Sequence, residues 1–156
     1  MADGMTNRES AEEWQRFAKM DLDSAEFLAQ MNPLPIEIIC FHCQQSAEKS
    51  LKSILILNGI FPPKIHDLKE LKELCTPYIV EAVIIDDACN HLNNYSVRTR
   101  YPKEIDISPD QLRKAIADSK VIWEYTNRFL SSCLNADKQT GVTVQPGAKA
   151  PGEHQN

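Results

Sequence analysis

Apolar residues recur every three or four positions along most of this chain, which is the spacing of amphipathic helices. The clearest segment is 36–57, which contains neither Gly nor Pro and lies between Pro35 and the helix-stop pair Asn58-Gly59. One side of this predicted helix is apolar, whereas the other carries a row of amides and charges. The row consists of Gln44, Gln45, Glu48, Lys49 and Lys52.

Two more segments begin with the start signals of helices. Ser10 and Glu13 have the spacing of a capping box, and the apolar positions that follow predict a first helix over 10–31. A short third helix is predicted after Asp67, with Glu70 at the third position of its first turn. Its inward side is expected to hold Leu68, Leu71 and Leu74.

The carboxyl-terminal half predicts two further long helices. Thr76-Pro77 has the pattern of a cap followed by a first-turn proline, so the fourth helix is expected over about 78–97. Its predicted inward positions are Ile79, Ala82, Val83, Cys89, Leu92 and Ser96. Ser108-Pro109-Asp110-Gln111 is a second strong start signal, and the fifth helix carries apolar residues as far as Leu134.

These five segments, with no strand-like alternation between them, predict an all-α fold. The expected architecture is an up-and-down bundle of four long helices and one short helix, within a single domain over residues 10–134. Residues 135–156 are rich in Gly, Pro and polar side chains, and we expect them to form a disordered C-terminal tail.

Composition narrows the class of function. The chain of 156 residues has a formal net charge of −5, which argues against a polybasic nucleic-acid binder. Its apolar runs are too short for a membrane span and its polar amino terminus lacks a signal-peptide core, so we expect a cytoplasmic protein. Phosphate-loop and dinucleotide-binding glycine motifs are absent, which argues against a stand-alone nucleotide hydrolase or oxidoreductase.

The five cysteines lie mostly at apolar positions, the pattern of reduced buried thiols. Cys40 and Cys43 flank His42 in a spacing that resembles a metal or redox motif. A structural zinc ion needs two more ligands, which Cys89 and His91 supply only if the fourth helix crosses at that level. We therefore expect two structural thiols, with no metal site and no catalytic cysteine.

A local basic group follows the predicted fourth helix and comprises Arg98, Arg100 and Tyr101. Two guanidinium groups beside an aromatic ring are well suited to binding phosphate. Cations near a helix carboxyl terminus are also common, because they interact favourably with the helix dipole. The row from Gln44 to Lys52 also has an alternative interpretation as a solvated surface, because charge runs usually form such surfaces. The residues alone leave these interpretations open.

Several of these motifs occur together in an order that resembles the HEPN domain, named for higher-eukaryote and prokaryote nucleotide binding. The resemblance rests on residues 14–25 and 41–52, Gly59, 66–68, and Tyr95 with 98–102. It covers about residues 10–134 and implies an all-α bundle that is commonly a homodimer. It also implies binding of a nucleotide of the ATP or GTP class, with or without Mg²⁺. A small partner nucleotidyltransferase is implied too, in some cases as a toxin–antitoxin pair.

The same resemblance implies a candidate ligand site. Its members are Gln45, Glu48, Lys49, Lys52, His66, Arg98, Arg100 and Tyr101. The lysines and arginines would hold phosphate, and Gln45 would hydrogen-bond a base or ribose. Glu48 would orient Lys52 or meet the surface of a partner.

Many HEPN proteins are metal-independent ribonucleases that carry an arginine followed by four to six residues and a histidine. No arginine of this sequence has a histidine at that spacing, so the main prediction is a non-catalytic, nucleotide-binding domain. One alternative is an RNA-cleaving enzyme that uses His66 instead, because such cleavage needs a group that titrates near neutral pH. The other is a purely structural interaction module. We also predict a homodimer, since one core stripe does not need all of Ile38, Ile84 and Ile85.

Overall fold

The computed structural model describes residues 4–95 and 106–140, and these ranges contain helices but no strand. The elements are α1 (Asn7–Leu28), α2 (Ile36–Leu57), α3 (Leu68–Cys75), a 3-10 helix (Ala82–Ile85), α4 (Asp86–Asn93) and α5 (Pro109–Thr140). The predicted all-α fold is confirmed. None of the helices in these ranges is long and apolar enough to cross a membrane.

Helix α2 is the central element of the fold, and its bounds are those predicted from the sequence. It packs against α1, α3, α4 and α5. Leu51, Ile54 and Leu55 are fully buried, and the surrounding helices also cover most of its polar side. Polar side chains that are covered in this way must find their hydrogen-bond partners within the protein.

Hydrogen bonds establish how the neighbouring helices run relative to α2. The Oγ of Ser53 donates to Gln15, while His42 contacts Asp21, so α1 and α2 are antiparallel. The Gln44 amide donates to the carbonyl of His66, and α3 ends where the Cys75 thiol meets the Leu51 carbonyl. Thus α3 follows the direction of α2, and the connector over 58–67 returns along α2 before α3 begins.

Helix α1 begins earlier than predicted, and the capping box at Ser10 and Glu13 was wrong. Thr6 is the cap: its hydroxyl accepts from the Glu9 amide, and the Glu9 carboxylate accepts from the Thr6 amide. The amide of Ser10 already bonds to the Thr6 carbonyl, so Ser10 lies inside the first turn. Two consecutive boxes of the same type, over 6–9 and 10–13, are present in the sequence, and the first one is used.

The predicted long fourth helix was also wrong. Residues 78–81 are not helical, and a 3-10 turn precedes α4. Glu81 has φ of 53°, a left-handed backbone conformation that interrupts a helix. The carbonyl of Val80 accepts a hydrogen bond from the Tyr125 hydroxyl. A long-range contact therefore replaces the local bonds expected from Thr76-Pro77, leaving three long and two short α-helices in the described ranges.

Several side chains of α3 and of the shortened fourth element differ from their predicted burial. Leu74 and Val83, predicted to point inward, are 43% and 74% exposed. Ile85, predicted as a surplus apolar residue for a dimer interface, is fully buried. Ile38 and Ile84 are 52% and 49% exposed. The break at Glu81 shifts the helical phase, so residues on its two sides do not share one stripe.

The start of α5 follows the prediction. The Gln111 amide donates to the Ser108 hydroxyl, and the Gln111 side chain accepts from the Ser108 amide, as in a capping box. The helix continues to Thr140, beyond residue 134 where the predicted domain ends. Ser96, the whole of the predicted basic group and residues 141–156 lie outside the described residues.

Candidate functional site

A buried carboxylate on α2 is the centre of the largest polar cluster around the predicted site. The side chain of Glu48 is 6% exposed, and four side chains bind its two oxygens. Lys52 Nζ lies 2.8 Å from Oε1, and His66 Nδ1 lies 3.0 Å from the same oxygen. The amide nitrogens of Gln44 and Gln45 lie 3.2 and 3.3 Å from Oε2. A carboxylate has about four acceptor sites, so Glu48 is saturated.

The spacing of the row on α2 explains this arrangement. Gln44, Glu48 and Lys52 follow each other at four-residue intervals, so they lie along one line of the helix surface. The connector covers that line, because the His66 carbonyl accepts from the Gln44 amide at 3.0 Å. The solvated-surface interpretation is therefore wrong for Glu48 and Lys52, which are 5% and 6% exposed.

His66 is the exposed end of this otherwise buried cluster. Its side chain is 68% exposed, although its Nδ1 contacts the buried Glu48 carboxylate. A carboxylate only accepts hydrogen bonds, so this contact favours the tautomer with the proton on Nδ1, in which Nε2 can accept from a ligand. Asp67, the next residue, caps α3 by accepting from the Glu70 amide, which anchors this part of the connector.

The two predicted phosphate-binding lysines of α2 have carboxylate partners instead. The Lys52 ammonium is held by Glu48 and is only 7% exposed, so it cannot reach a ligand without breaking a buried ion pair. Lys49 is 30% exposed and bonds to Asp21 of α1. Lys49 is therefore the more accessible of the two cations.

Asp21 organises a second polar cluster between α1 and α2. Its carboxylate accepts a hydrogen bond from the Lys49 ammonium group. It also contacts His42, whose Nδ1 lies 2.8 Å from Oδ1. The sequence pattern did not indicate this cluster, because Asp21 belongs to another helix and no spacing rule relates residues of different elements. Gln44, too, was absent from the predicted site, although its place in the row with Glu48 was a usable signal.

The structure therefore brings together Gln45, Glu48, Lys52 and His66, and places Lys49 in the neighbouring cluster. The other predicted members, Arg98, Arg100 and Tyr101, lie outside the described residues. Two cavities of about 420 Å³ lie apart from these site residues and are lined by others. One is bordered by Gln15, Trp123 and Leu130, and the other by Trp14 and Phe61, among others.

The Cys40–Cys43 motif lies in the core of the bundle. Both thiols are fully buried, whereas His42 turns to Asp21 on the surface of α2. Burial, together with nearby Glu37, raises the pKa of Cys40 to about 11, and burial raises the pKa of Cys43 further. Within residues 4–95 and 106–140, no three His, Cys, Asp or Glu side chains are grouped closely enough to hold a metal ion.

Comparison with known proteins gives the class to which this fold and site belong. The family model of the HEPN domain matches residues 11–129 of this chain. The crystal structure of TT1696 from Thermus thermophilus superposes with a TM-score of 0.62 and 22% identity, covering 76% of this chain and 97% of that chain. ST0689, an archaeal HEPN homologue, gives a TM-score of 0.49 and 22% identity, covering 81% and 96%. No curated protein matches.

The chain belongs to the HEPN domain family, because the match includes all the helices from α1 to most of α5. The structural similarity to TT1696 independently supports the helical fold. The matched region also contains Glu48, His66 and their partners, so the polar cluster lies within the family domain rather than in an added segment.

Proposed function

We propose that this HEPN domain binds a nucleotide at the exposed rim of the Glu48 cluster. The observation that supports the proposal is the contrast within one hydrogen-bonded pair: His66 is 68% exposed while its partner Glu48 is 6% exposed. A buried carboxylate that fixes an exposed imidazole provides a pre-oriented group on a rigid support, which lowers the cost of ordering on binding.

In this proposal the members of the site have different roles. His66 accepts a hydrogen bond or, when protonated, contacts phosphate, and the partly exposed amide of Gln45 contacts a base or ribose. Lys49 supplies the accessible positive charge. Glu48 and Lys52 are buried and do not contact the ligand, so they act as positioning residues. We propose Arg98, Arg100 and Tyr101 as further phosphate-binding groups.

Calorimetric titration with ATP and GTP, with and without magnesium, tests this site. We expect His66→Ala to weaken binding at least tenfold, the loss of one good hydrogen bond to a charged group. The matched control is His91→Ala, another exposed histidine whose Nδ1 faces a carboxylate, that of Asp118. Equal affinities for these two variants would place the ligand elsewhere. A wild-type protein that gives no heat of binding with either nucleotide would refute nucleotide binding.

The local basic group of Arg98, Arg100 and Tyr101 is tested separately. Arg100→Ala should weaken nucleotide binding and make it less sensitive to salt, because a phosphate contact is lost. Arg113→Ala is a suitable control, since the Arg113 side chain is 71% exposed and its described salt bridge is with Asp110, which is 87% exposed. An affinity that stays the same in Arg100→Ala would remove the basic group from the proposed site.

The same histidine supports a second candidate function, metal-independent RNA cleavage. With Nδ1 held by Glu48, Nε2 is placed to accept the proton of a ribose 2′-hydroxyl. That oxygen would then bond to the adjacent phosphorus, and the 5′ oxygen would leave with a proton from water. The products would be a 2′,3′-cyclic phosphate and a 5′-hydroxyl end. Cleavage of single-stranded RNA in EDTA by wild type, and none by His66→Ala, would establish this function over the non-catalytic one.

We further propose that the domain works as a homodimer beside a small nucleotidyltransferase, in the manner of a toxin–antitoxin pair. Membership of the HEPN family supports this, because HEPN domains often form dimers. Co-purification with nucleotidyltransferases encoded in the same genome tests the heteromeric partner. A stable complex without nucleotide binding would favour a purely structural interaction module.

A further inference from the structure

A cavity of about 420 Å³ lies at the end of the bundle where α1 begins and α2 ends. Its lining comes from the start of α1, the last turn of α2 and the first part of the connector. The lining residues are Met5, Asn7, Ser10, Trp14, Ile56, Gly59, Ile60, Phe61 and Pro62. Cavities of this size are typical of small-molecule sites in proteins. Glu48, His66 and their partners do not line this cavity, so it is separate from the proposed nucleotide site.

Local hydrogen bonds fix the walls of the cavity on both sides. On the α1 side, the Thr6 hydroxyl caps the helix just before the lining residue Asn7. On the other side, the Ile60 amide donates to the Leu55 carbonyl at 3.0 Å, and Gly59 has φ of 77°. Glycine adopts this left-handed conformation without strain, as is common after the end of a helix. Walls that are already ordered reduce the cost of binding a ligand.

The lining combines aromatic rings with polar groups that have no partner. Trp14 and Phe61 are the aromatic members, and Phe61 is 81% exposed despite its large apolar ring. Aromatic pairs gain stability beyond that of the area they bury, so a ring in the cavity would be favoured. Within the described part of the chain, no hydrogen bond reaches the Asn7 amide, the Ser10 hydroxyl or the Trp14 indole N–H. These groups are therefore available to donate to a ligand or accept from it.

None of the described residues that line this cavity is charged. The charged side chains nearest to it along α1 are already paired. Glu9 belongs to the capping box, and Arg8 lies 3.8 Å from Glu12. The cavity beside Trp123 differs, because the charged side chains of Arg16 and Lys19 line it. A charged ligand would lose its hydration in the uncharged cavity without gaining an opposite charge, so a neutral ligand is favoured.

We infer that this cavity binds a neutral aromatic small molecule that carries an amide or hydroxyl group. The aromatic ring of the ligand packs against Trp14 and Phe61, and its polar group forms hydrogen bonds with Asn7 and Ser10. A nucleotide carries several negative charges, so the two ligand classes are different. The inference therefore goes beyond the proposed function and does not depend on it.

The two tryptophans line different cavities, so their indole N–H signals in ¹H–¹⁵N spectra report where a ligand binds. The probe is naphthamide, a neutral bicyclic aromatic amide, and Trp14→Phe assigns the two signals. Titration of the full chain should shift the Trp14 signal saturably and leave the Trp123 signal unchanged. A shift confined to Trp123, or no saturable shift, would overturn the inference. Naphthoate, which replaces the amide by a carboxylate, should bind about tenfold more weakly or worse. Equal or tighter binding of naphthoate would refute the preference for a neutral ligand.

Substitutions in the lining test the roles of the individual residues. Phe61→Ser should weaken naphthamide binding about tenfold or more, because one aromatic wall is lost. Phe27→Ser is a matched control, since Phe27 is 75% exposed and does not line the cavity. Ser10→Ala should weaken binding about fivefold, the loss of one hydrogen bond. Circular dichroism should show the same helix content in all variants.

Wild-type affinity in Phe61→Ser would overturn the inferred contact with the ring. A polyproline peptide that shifts the Trp14 signal when naphthamide does not would identify the cavity as a peptide groove and refute the small-molecule site.

Discussion

The Nδ1 atom of His66 lies 3.0 Å from Oε1 of Glu48, and this contact joins a solvent-exposed ring to a carboxylate in the protein interior. The two residues are 18 positions apart and belong to the connector and to α2. Lys52 contacts the same oxygen, so the negative charge of Glu48 is already compensated without the histidine. His66 therefore need not be protonated for the cluster to be stable.

This geometry predicts the tautomer of His66. Since Glu48 accepts the Nδ1 hydrogen, the neutral ring should carry its proton on Nδ1 and leave Nε2 unprotonated. Two-bond ¹H–¹⁵N correlation spectra at pH 8 distinguish the two tautomers through their nitrogen shifts. A spectrum dominated by the Nε2–H form would contradict the hydrogen bond and the proposed role of Nε2.

Replacement of Lys52 should be costly for folding. Lys52→Met leaves the Glu48 charge buried with one fewer partner, and we expect a loss of about 3–5 kcal/mol in the free energy of unfolding. Lys49→Met, on the same helix but 30% exposed, should cost about 1 kcal/mol or less. Urea unfolding measures both values. Adding Glu48→Leu to Lys52→Met should recover part of the loss, because it removes the unpaired charge.

Gln15 connects three helices, and its removal should destabilise the bundle. Its amide nitrogen donates to the Trp123 carbonyl and to the Thr126 hydroxyl, and its oxygen accepts from Ser53. Gln15→Met keeps the volume but removes these hydrogen bonds between helices, so we expect about 2–3 kcal/mol of lost stability. The exposed Gln30 provides the control, since Gln30→Met should change stability by less than about 0.5 kcal/mol. Comparable losses in both variants would contradict this role.

The two consecutive capping boxes make opposite predictions that mutation can separate. Thr6→Ala should reduce stability by about 1 kcal/mol, because its hydroxyl accepts from the Glu9 amide. Ser10→Ala should be nearly neutral, since Ser10 lies inside the helix, where Ala has the higher propensity. Thermal unfolding compares the two. A larger loss for Ser10→Ala would mean that the helix begins at Ser10, as its sequence first suggests.

The buried thiols should make the fold sensitive to alkaline pH. Burial raises the pKa of Cys75 from 9.0 to about 12, so the thiol ionises in the unfolded chain before it does in the folded protein. The folded state then binds more protons than the unfolded state, and stability should fall as pH rises from about 9 toward 12. Urea unfolding under reducing conditions at several pH values measures the slope. Cys75→Ala should flatten it, and an unchanged slope would exclude this thiol as a cause.

Local signals predicted the elements whose ends depend on local hydrogen bonds. The bounds of α2, the Asp67 cap of α3 and the Ser108 cap of α5 all involve residues three or four positions apart, which a sequence pattern can display. The break at Glu81 has a different cause, because its neighbour Val80 bonds to Tyr125, 45 residues away. No pattern around Thr76 indicates that partner.

The sequence by itself determined the helical class, the central position of α2 and the row of polar residues on it, because periodicity and capping act over a few residues. Only the tertiary structure decided what that row does. Packing of the connector against α2 buried Glu48 and Lys52 and left His66 exposed. Asp21, from another helix, took Lys49 as its partner. Burial and pairing depend on which elements meet in space, and the spacing of residues along one helix contains no such information.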